Sequence, residues 1–377
     1  VRLAVMELSC AYFENLNDGR GGLAREFIRT ARRHRGRLAV SDSSGRELTY
    51  GACLERALAL AAPLKKKAAG QPRVGVLLPL SAGGALANVA AALAGKAAVN
   101  LDHNLPEKAL HAAIAQCGIT TLIPARGFAR AGNLRLAAGS ALYRGGAAAG
   151  ALDALKARFA PAALLAGRAD PGGEAAVVFT SGSTGPAKAV LLSHNNLLAG
   201  AGSLRILFAL GEKDGICSAI PLFHPLGCAA SLWYPLLNGV PVYYHSNPLD
   251  VRAIAALARS KAATVLFTTP ALLRLYARRT RKEDLADLRY VIAGGNKLPP
   301  SLAARFEDKF GIRPLEAYGS AEVSPAAALS VPHFAKAPNF QYGWKEGSAG
   351  LPAPGVAMKV ADPLTGGELP PGQEGEL

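Results

Sequence analysis

Short, wholly apolar runs alternate along this chain with Ala- and Leu-rich segments of helical period, and that alternation narrows the possible folds most. "RVGVLLPL" (residues 73–80) is a continuous apolar run ending at a proline, as expected of a strand buried on both faces. "AGGALANVAAALAGKA" follows as a helix, "AAVNLD" as the next strand, and "PEKALHAAIAQCG" as a helix opened by Pro106 and closed by Gly118. "ITTLIP" is a further strand. Repeated strand–helix–strand units of this kind predict parallel sheets with helices on their faces. The pattern thins between about Ala129 and Gly173, which reads as a connection with short elements. It resumes with "EAAVVFT", "SHNNLLAGAGSLRILFAL", "GICSAI", "VPVYYH", "DVRAIAALARSK", "ATVLFTTP", "ALLRLYARRTRK", "LRYVIAGG", "LPPSLAARFEDKFG" and "PLEAYGSAE". A chain of 377 residues exceeds one ordinary core, so at least two packed lobes are expected.

Four of the strand ends carry Gly, Thr, His or Glu: "FTSGSTG", "PLFHP", "IAGGNK" and "AYGSAE". Ligands of open α/β sheets bind outside the carboxyl ends of the strands, so these four turns are predicted to face one crevice. The first continues as "FTSGSTGPAKAVLLSHNN" (residues 179–196). A Gly/Ser/Thr loop after a strand offers backbone N–H groups and hydroxyls to phosphate oxygens, with Lys188 as counter-charge. It is neither of the two common phosphate loops. A Walker A loop needs G-x-x-x-x-G-K-[ST], whereas Lys188 follows Pro186-Ala187 and precedes Ala189. The dinucleotide pattern G-x-G-x-x-G is also missing. A flexible linker is excluded by the buried strand pattern before the loop and the helix pattern after it.

Composition removes other classes. Half of the residues are hydrophobic, which argues for a packed protein and against disorder. The most apolar long window, residues 226–244, is broken by Gly227, Ser231, Pro235, Asn238, Gly239 and Pro241 and is a poor bilayer span. Acidic and polar residues come too early at the N-terminus for a secretory signal. The five cysteines (Cys10, Cys53, Cys117, Cys217, Cys228) are far apart and form no C-x-x-C pair, so a reduced, cytoplasmic protein without a cysteine metal site is expected. The net charge of +15 gathers at residues 29–37, 65–67 and 274–282. Such clusters are either solvated helix faces or a field that steers anionic partners: nucleotides, coenzyme A, acidic carrier proteins or anionic lipid. Without interleaved aromatics or a recognition motif they do not point to nucleic acid, and membrane contact is expected to be peripheral at most.

T-S-G-S-T-G-P-A-K resembles the phosphate loop of the adenylate-forming superfamily: acyl-CoA synthetases, luciferases and peptide-synthetase adenylation domains. Further segments resemble that family in order and spacing. "LTYGACLERALALA" is similar to its early "TYGEL" segment, and residues 74–102 to its first strand–helix–strand unit. "PLFHPLG" resembles the aromatic–histidine turn near the acyl site, and "IAGGNKLPP" the Gly-rich segment beside the adenine. "EAYGSAE" resembles the "YGxTE" motif, and "GSAGLPAPGVAMKVAD" the opening of a distorted barrel. Details such as "PLFH", "LRYVIAGGNKL" and "SVP" most resemble the bacterial long-chain acyl-ACP synthetases, including the adenylating half of 2-acylglycerophosphoethanolamine acyltransferase/acyl-ACP synthetase.

The resemblance implies an α/β large domain of two lobes with sandwiched sheets (about residues 1–170 and 171–345), plus the start of a small β-barrel (about 346–377). It places the mobile C-terminal domain, with the adenylation lysine, past Leu377. The implied activity is ATP- and Mg²⁺-dependent formation of an acyl-adenylate from a carboxylic, chiefly fatty, acid. Transfer to coenzyme A or to the phosphopantetheine of an acidic acyl carrier protein would follow in the full-length protein. Residue by residue, Thr180, Ser181, Gly182, Ser183, Thr184, Gly185 and Lys188 would hold the β- and γ-phosphates. Gly295, Asn296 and Lys297 would pass along one adenine face and Tyr318 would stack on the other, with Gly319 and Ser320 completing the turn. Glu322 would bind Mg²⁺, and His224 would lie near the acyl carboxylate, so that His224, Lys188 and Glu322 would carry the chemistry.

Two positions depart from the family pattern. The loop proline sits one place early, at Pro186. Ala321 stands where the family has a threonine that helps hold the α-phosphate, which opens a second reading as a degenerate, non-catalytic module binding nucleotide or a partner. His224 is otherwise a buried structural histidine, and Glu322 an ordinary cap or surface acid. "HSNPLD" (residues 245–250) fits the H-x-x-x-x-D spacing of glycerolipid acyltransferases, an undemanding spacing that a surface turn also explains.

Overall fold

The computed structural model describes residues 21–125, 141–142, 149–167, 169–180, 187–324, 326–336 and 339–377. The chain opens with α1 (Gly22–Arg33), β1 (Leu38–Asp42), β2 (Glu47–Thr49) and α2 (Tyr50–Lys67). The expected strand–helix series follows as β3 (Arg73–Leu77), α3 (Ala82–Leu93), β4 (Ala97–Asn100), α4 (Glu107–Gln116) and β5 (Thr121–Pro124). The thin segment holds β6 (Ala141–Leu142), α5 (Ala151–Phe159) and α6 (Ala162–Leu165). Next come β7 (Glu174–Phe179), β8 (Ala189–Ser193), α7 (His194–Phe208) and β9 (Ile216–Ser218). A π-helix (Gly227–Trp233) leads into α8 (Tyr234–Asn238) and β10 (Val242–Tyr244). The remaining large elements are α9 (Val251–Ser260), β11 (Val265–Thr268), α10 (Pro270–Arg279), β12 (Tyr290–Gly294), α11 (Pro300–Phe310) and β13 (Pro314–Tyr318). Short strands β14 (Ala328–Leu329), β15 (Phe334–Lys336), β16 (Asn339–Gln341) and β17 (Leu351–Pro352) complete the series.

Two mixed sheets result, with strand orders β6-β5-β3-β4-β7-β8 and β17-β14-β13-β12-β11-β9-β10-β1-β2. The helices between strands make the pairings parallel from β5 through β7 and from β1 through β13. The sheets do not divide at residue 170 as the expected lobes do. Strand β1 crosses over to pair with β10, carrying β2 on its far edge, and β7 and β8 return to extend the first sheet beside β4. No periodicity within a strand shows which sheet it joins, because partner choice is set by long-range packing. The expected barrel start is also altered: β17 pairs with β14 as the edge of the second sheet, and the following residues make isolated bridges from Ala361 to Glu368 and Glu376. No closed barrel forms among the described residues.

Strand alternation assigns the layers. In β9, Ile216 faces the large central core and Cys217 the outer one; in β11, Val265 and Phe267 face inward and Leu266 outward. The central core lies between the sheets and takes in α1, α2, α3, α7 and the π-helix. Helices α9, α10 and α11 cover the outer face of the second sheet and α4 that of the first. Because α3 is sandwiched, every one of its residues except Gly83 is buried, which accounts for its Ala-rich, all-round apolar sequence. Its one polar residue inside, Asn88, exchanges amide hydrogen bonds of 2.9 and 2.8 Å with Asn100 of β4 and donates to the Gly84 carbonyl. The pair is thereby satisfied without water.

The basic cluster at residues 29–37 is used internally rather than left as a free field. Arg32 donates to the carbonyls of Ala157 and Ala160 at the C-terminal end of α5, Arg37 to those of Gly211 and Glu212, and Arg35 pairs with Glu55. Lys65, Lys66 and Lys67 form the last turn of α2, where the helix dipole favours cations. The bases of residues 274–282 lie on and just after α10, among exposed positions of the outer helical layer.

Candidate active site

The carboxyl ends of β7, β9, β12 and β13 carry the four turns singled out by the sequence. At the first, the Thr180 N–H donates to the Lys188 carbonyl (3.0 Å), clasping the loop at its base. Ser181, Gly182, Ser183, Thr184, Gly185 and Pro186 lie outside the described residues. The loop connects β7 to an antiparallel partner, β8, rather than directly to a helix. The residues just after Lys188, Ala189–Ser193, are that strand. The helix begins at His194, and Ser193 caps it by accepting from the Asn196 N–H (3.1 Å), with Asn196 completing a capping box. His194 is no site residue: its Nδ1 accepts from the Leu23 N–H (3.3 Å) at the start of α1.

At the second turn, the strand β9 passes through Ala219–Pro221 into "LFHPLG". His224 is held on three sides by backbone. Its N–H donates to the Pro221 carbonyl (3.1 Å), its carbonyl accepts from Cys228 (2.9 Å), and its Nδ1 accepts from the Leu226 N–H (3.2 Å). The last bond makes Nε2 the protonated nitrogen of the neutral ring, and burial lowers the pKa further. Gly227 opens the π-helix here, a rare geometry that favours functional sites. A methyl group on Gly227 would stand 2.0 Å from the Pro221 oxygen, so only glycine fits.

The third turn lies opposite. Gly295 has φ +86°, and a methyl built on it would come 4.0 Å from Cε1 and Nε2 of His224. The histidine therefore faces the Gly-rich turn across the intervening end of β11. Asn296 and Lys297 are exposed, and the turn is anchored where the Leu298 N–H donates to Glu316 Oε1 (3.1 Å). Parallel pairing sets Gly294 beside Ala317, which brings Gly295–Lys297 alongside Tyr318–Ser320. Tyr318 is 45% exposed, leaving its ring free to cover a planar ligand.

The fourth turn closes the arrangement. The Ser320 hydroxyl and the backbone N–H of Glu322 itself lie close to the Glu322 carboxylate. Together with the positive charge of Lys188 these hold the Glu322 pKa below the usual carboxylate range. Lys188 and Glu322, 134 positions apart in sequence, thus sense one another across the crevice between the sheets. Ala321 turns inward and is buried in the central core.

Sequence reasoning missed one contributor. The end of β11 lies between β9 and β12, so "FTTP" joins the same rim. Thr269 caps α10 through the Leu272 N–H (3.3 Å), and Thr268 is buried beneath it. The Thr-Thr-Pro ending was the available signal. The H-x-x-x-x-D motif, by contrast, is a turn: His245 Nδ1 accepts from the Asn247 N–H, and Asp250 caps α9 by accepting from Ala253 (3.1 Å).

Glu322 is a hard oxygen donor, and Mg²⁺ is commonly held by one or two carboxylates plus substrate phosphates. Among the described residues no cluster of three or more His, Cys, Asp or Glu makes an all-protein cage. No described helix is long and apolar enough to cross a membrane.

Known proteins resemble this chain in sequence and in fold. The chain is 32% identical over 204 residues to the feruloyl-CoA synthase of an Amycolatopsis species, covering 53% of this chain and 39% of that protein. It is 33% identical over 207 residues to the medium-chain fatty-acid–CoA ligase of Escherichia coli K12, covering 54% and 34%. These matches thus span little more than a third of each relative's length. Among solved structures, a benzoate CoA ligase from Burkholderia xenovorans LB400 superposes with a TM-score of 0.79 at 22% identity, covering 93% of this chain and 70% of that one. The N-terminal subdomain of NpsA from Klebsiella oxytoca, bound to 3-hydroxybenzoyl-AMSN, gives 0.74 at 19% identity, covering 93% and 83%. These structures share the fold. The profile described as "AMP-binding enzyme" matches residues 27–377, and the chain belongs to that family.

Proposed function

We propose that the chain activates a carboxylic acid with ATP as an acyl-adenylate, for transfer to coenzyme A or a carrier-protein phosphopantetheine. The observation that carries this reading is the approach of Lys188 to Glu322 across the crevice, beside a rim on which His224 faces Gly295 and Gly295 runs alongside Tyr318–Ser320. A carboxylate oxygen attacks the α-phosphorus, the bond to the bridging oxygen breaks, and pyrophosphate leaves. Such a displacement needs positioning and charge neutralisation more than covalent help. Lys188 supplies a cation at the loop, and Thr180 with Ser181–Gly185 the donors that meet phosphate oxygens. Glu322 would hold Mg²⁺, which would supply charge neutralisation for the phosphates. Neutral His224, with its Nε2–H toward Gly295, orients the acyl carboxylate. Asn296, Lys297, Tyr318 and Gly319 border the adenine.

The names of the relatives support coenzyme A as the acceptor and either a fatty or an aromatic acid as substrate. Titration calorimetry with ATP·Mg²⁺ tests the reading. Binding by the wild type, weakened about tenfold or more in Lys188→Ala, is expected for a charge-assisted phosphate contact. No heat with the wild type would overturn it. The burial of Ala321 favours a second reading, a module that binds nucleotide without turning it over. Acid-dependent exchange of pyrophosphate into ATP eliminates that reading, and its absence together with retained ATP binding supports it.

A further inference from the structure

Helix α5 presents an apolar ridge that is left exposed among the described residues. Leu152, Leu155 and Phe159, at helical spacing i, i+3 and i+7, share one side and are 64%, 60% and 68% exposed. Ala157, roughly opposite on the helical wheel, is the one buried residue of the helix. Leu164 of α6, 79% exposed, continues the apolar surface. Large side chains with this much free surface stand proud of the protein and do not line a groove. The flanks are cationic: Lys156 borders the ridge, and the Arg158 guanidinium lies 5.2 Å from the Phe159 ring centre. The sole acid of α5, Asp153, is tied to the Gly150 N–H (3.0 Å). The helix is braced from behind by α2, whose last turn is Lys65–Lys67, and by Arg32 at its C-terminal carbonyls.

We propose that α5 and α6 form a docking face for an anionic lipid surface, with Leu152, Leu155, Phe159 and Leu164 entering the interface and Lys156 and Arg158 meeting headgroups. A protruding apolar line flanked by Lys and Arg is the geometry of an interfacial helix, and a protein partner would have to supply a matching groove. The charge complementarity selects anionic over neutral lipid. The proposal is independent of the adenylating function, since none of these residues belongs to the crevice.

Flotation of the full chain with vesicles of phosphatidylcholine containing phosphatidylglycerol, beside pure phosphatidylcholine vesicles, tests it. The wild type should float with the anionic vesicles and about tenfold less with the neutral ones. Leu155→Ser/Phe159→Ser should lose anionic binding by about tenfold or more, and Lys156→Glu/Arg158→Glu comparably, with far-ultraviolet circular dichroism unchanged. Failure of the wild type to float, or equal flotation of the Ser variant, overturns the proposal. A wild-type dimer in sedimentation that Leu155→Ser/Phe159→Ser makes monomeric, without wild-type flotation, would assign the ridge to a second copy of the chain instead.

Discussion

Replacing Gly227 with alanine adds one methyl group at the point where the site is tightest. The new Cβ would lie 2.0 Å from the Pro221 oxygen, 2.7 Å from its carbonyl carbon and 2.9 Å from the Ile220 oxygen. Ordinary contact begins at 3.4 Å, so backbone on one side must retreat by more than 1 Å. The Pro221 carbonyl is also the acceptor for the His224 N–H, so relieving the clash stretches or breaks that bond. Overpacking of a rigid core costs about 1–3 kcal/mol, and loss of one hydrogen bond about 1 kcal/mol more. Gly227→Ala is therefore expected to destabilise by about 2–4 kcal/mol. It should also displace His224 from Gly295, reducing acid-dependent pyrophosphate exchange more than ATP affinity, since the phosphate loop is on another strand. Gly295→Ala is the control: its methyl meets nothing closer than 4.0 Å, and its cost is the backbone strain of φ +86°, about 1–2 kcal/mol. Urea unfolding with tryptophan fluorescence measures both. If Gly227→Ala costs no more than Gly295→Ala and leaves exchange intact, the close approach that fixes His224 is refuted.

Two further outcomes follow from buried groups. Tyr50 is fully buried and its hydroxyl donates to the carbonyls of Pro235 (2.8 Å) and Val240 (3.1 Å), joining α2 to the turn after α8; Tyr50→Phe should cost about 1–2 kcal/mol in urea unfolding, and an unchanged midpoint would contradict that role. His34, His194 and His224 all have pKa values lowered first by burial, so each is favoured neutral when folded. The unfolded chain then binds protons more readily below about pH 6.5, and the stability these residues contribute is full above that pH and declines as pH falls toward their folded values. His194→Asn should flatten this decline in a series of unfolding curves from pH 7.5 to 5, and an unaltered slope would show that His194 is not among its sources.

What could be read from sequence follows the range of the physics involved. Helix bounds are local, and so "PEKALHAAIAQCG" and "SHNNLLAGAGSLRILFAL" already marked α4 and α7. The strand-end rule placed "PLFH", "IAGG" and "AYGS" on one rim because parallel strands with helical crossovers put their carboxyl ends together. The residues whose partners lie far along the chain were not legible. Nothing local to "RLAVSD" shows that β1 pairs with β10, two hundred residues on, and nothing in "RTARRHRGR" shows that Arg32 ends on α5 carbonyls. The same distinction bears on Ala321. In sequence it is a missing hydroxyl beside a glutamate; in the structure its methyl is core, while the neighbouring Ser320 hydroxyl lies beside the Glu322 carboxylate. Restoring a hydroxyl with Ala321→Thr thus has to place a polar atom at a buried position. Unless that oxygen finds an acceptor at the crevice wall, the substitution costs stability without restoring a phosphate contact.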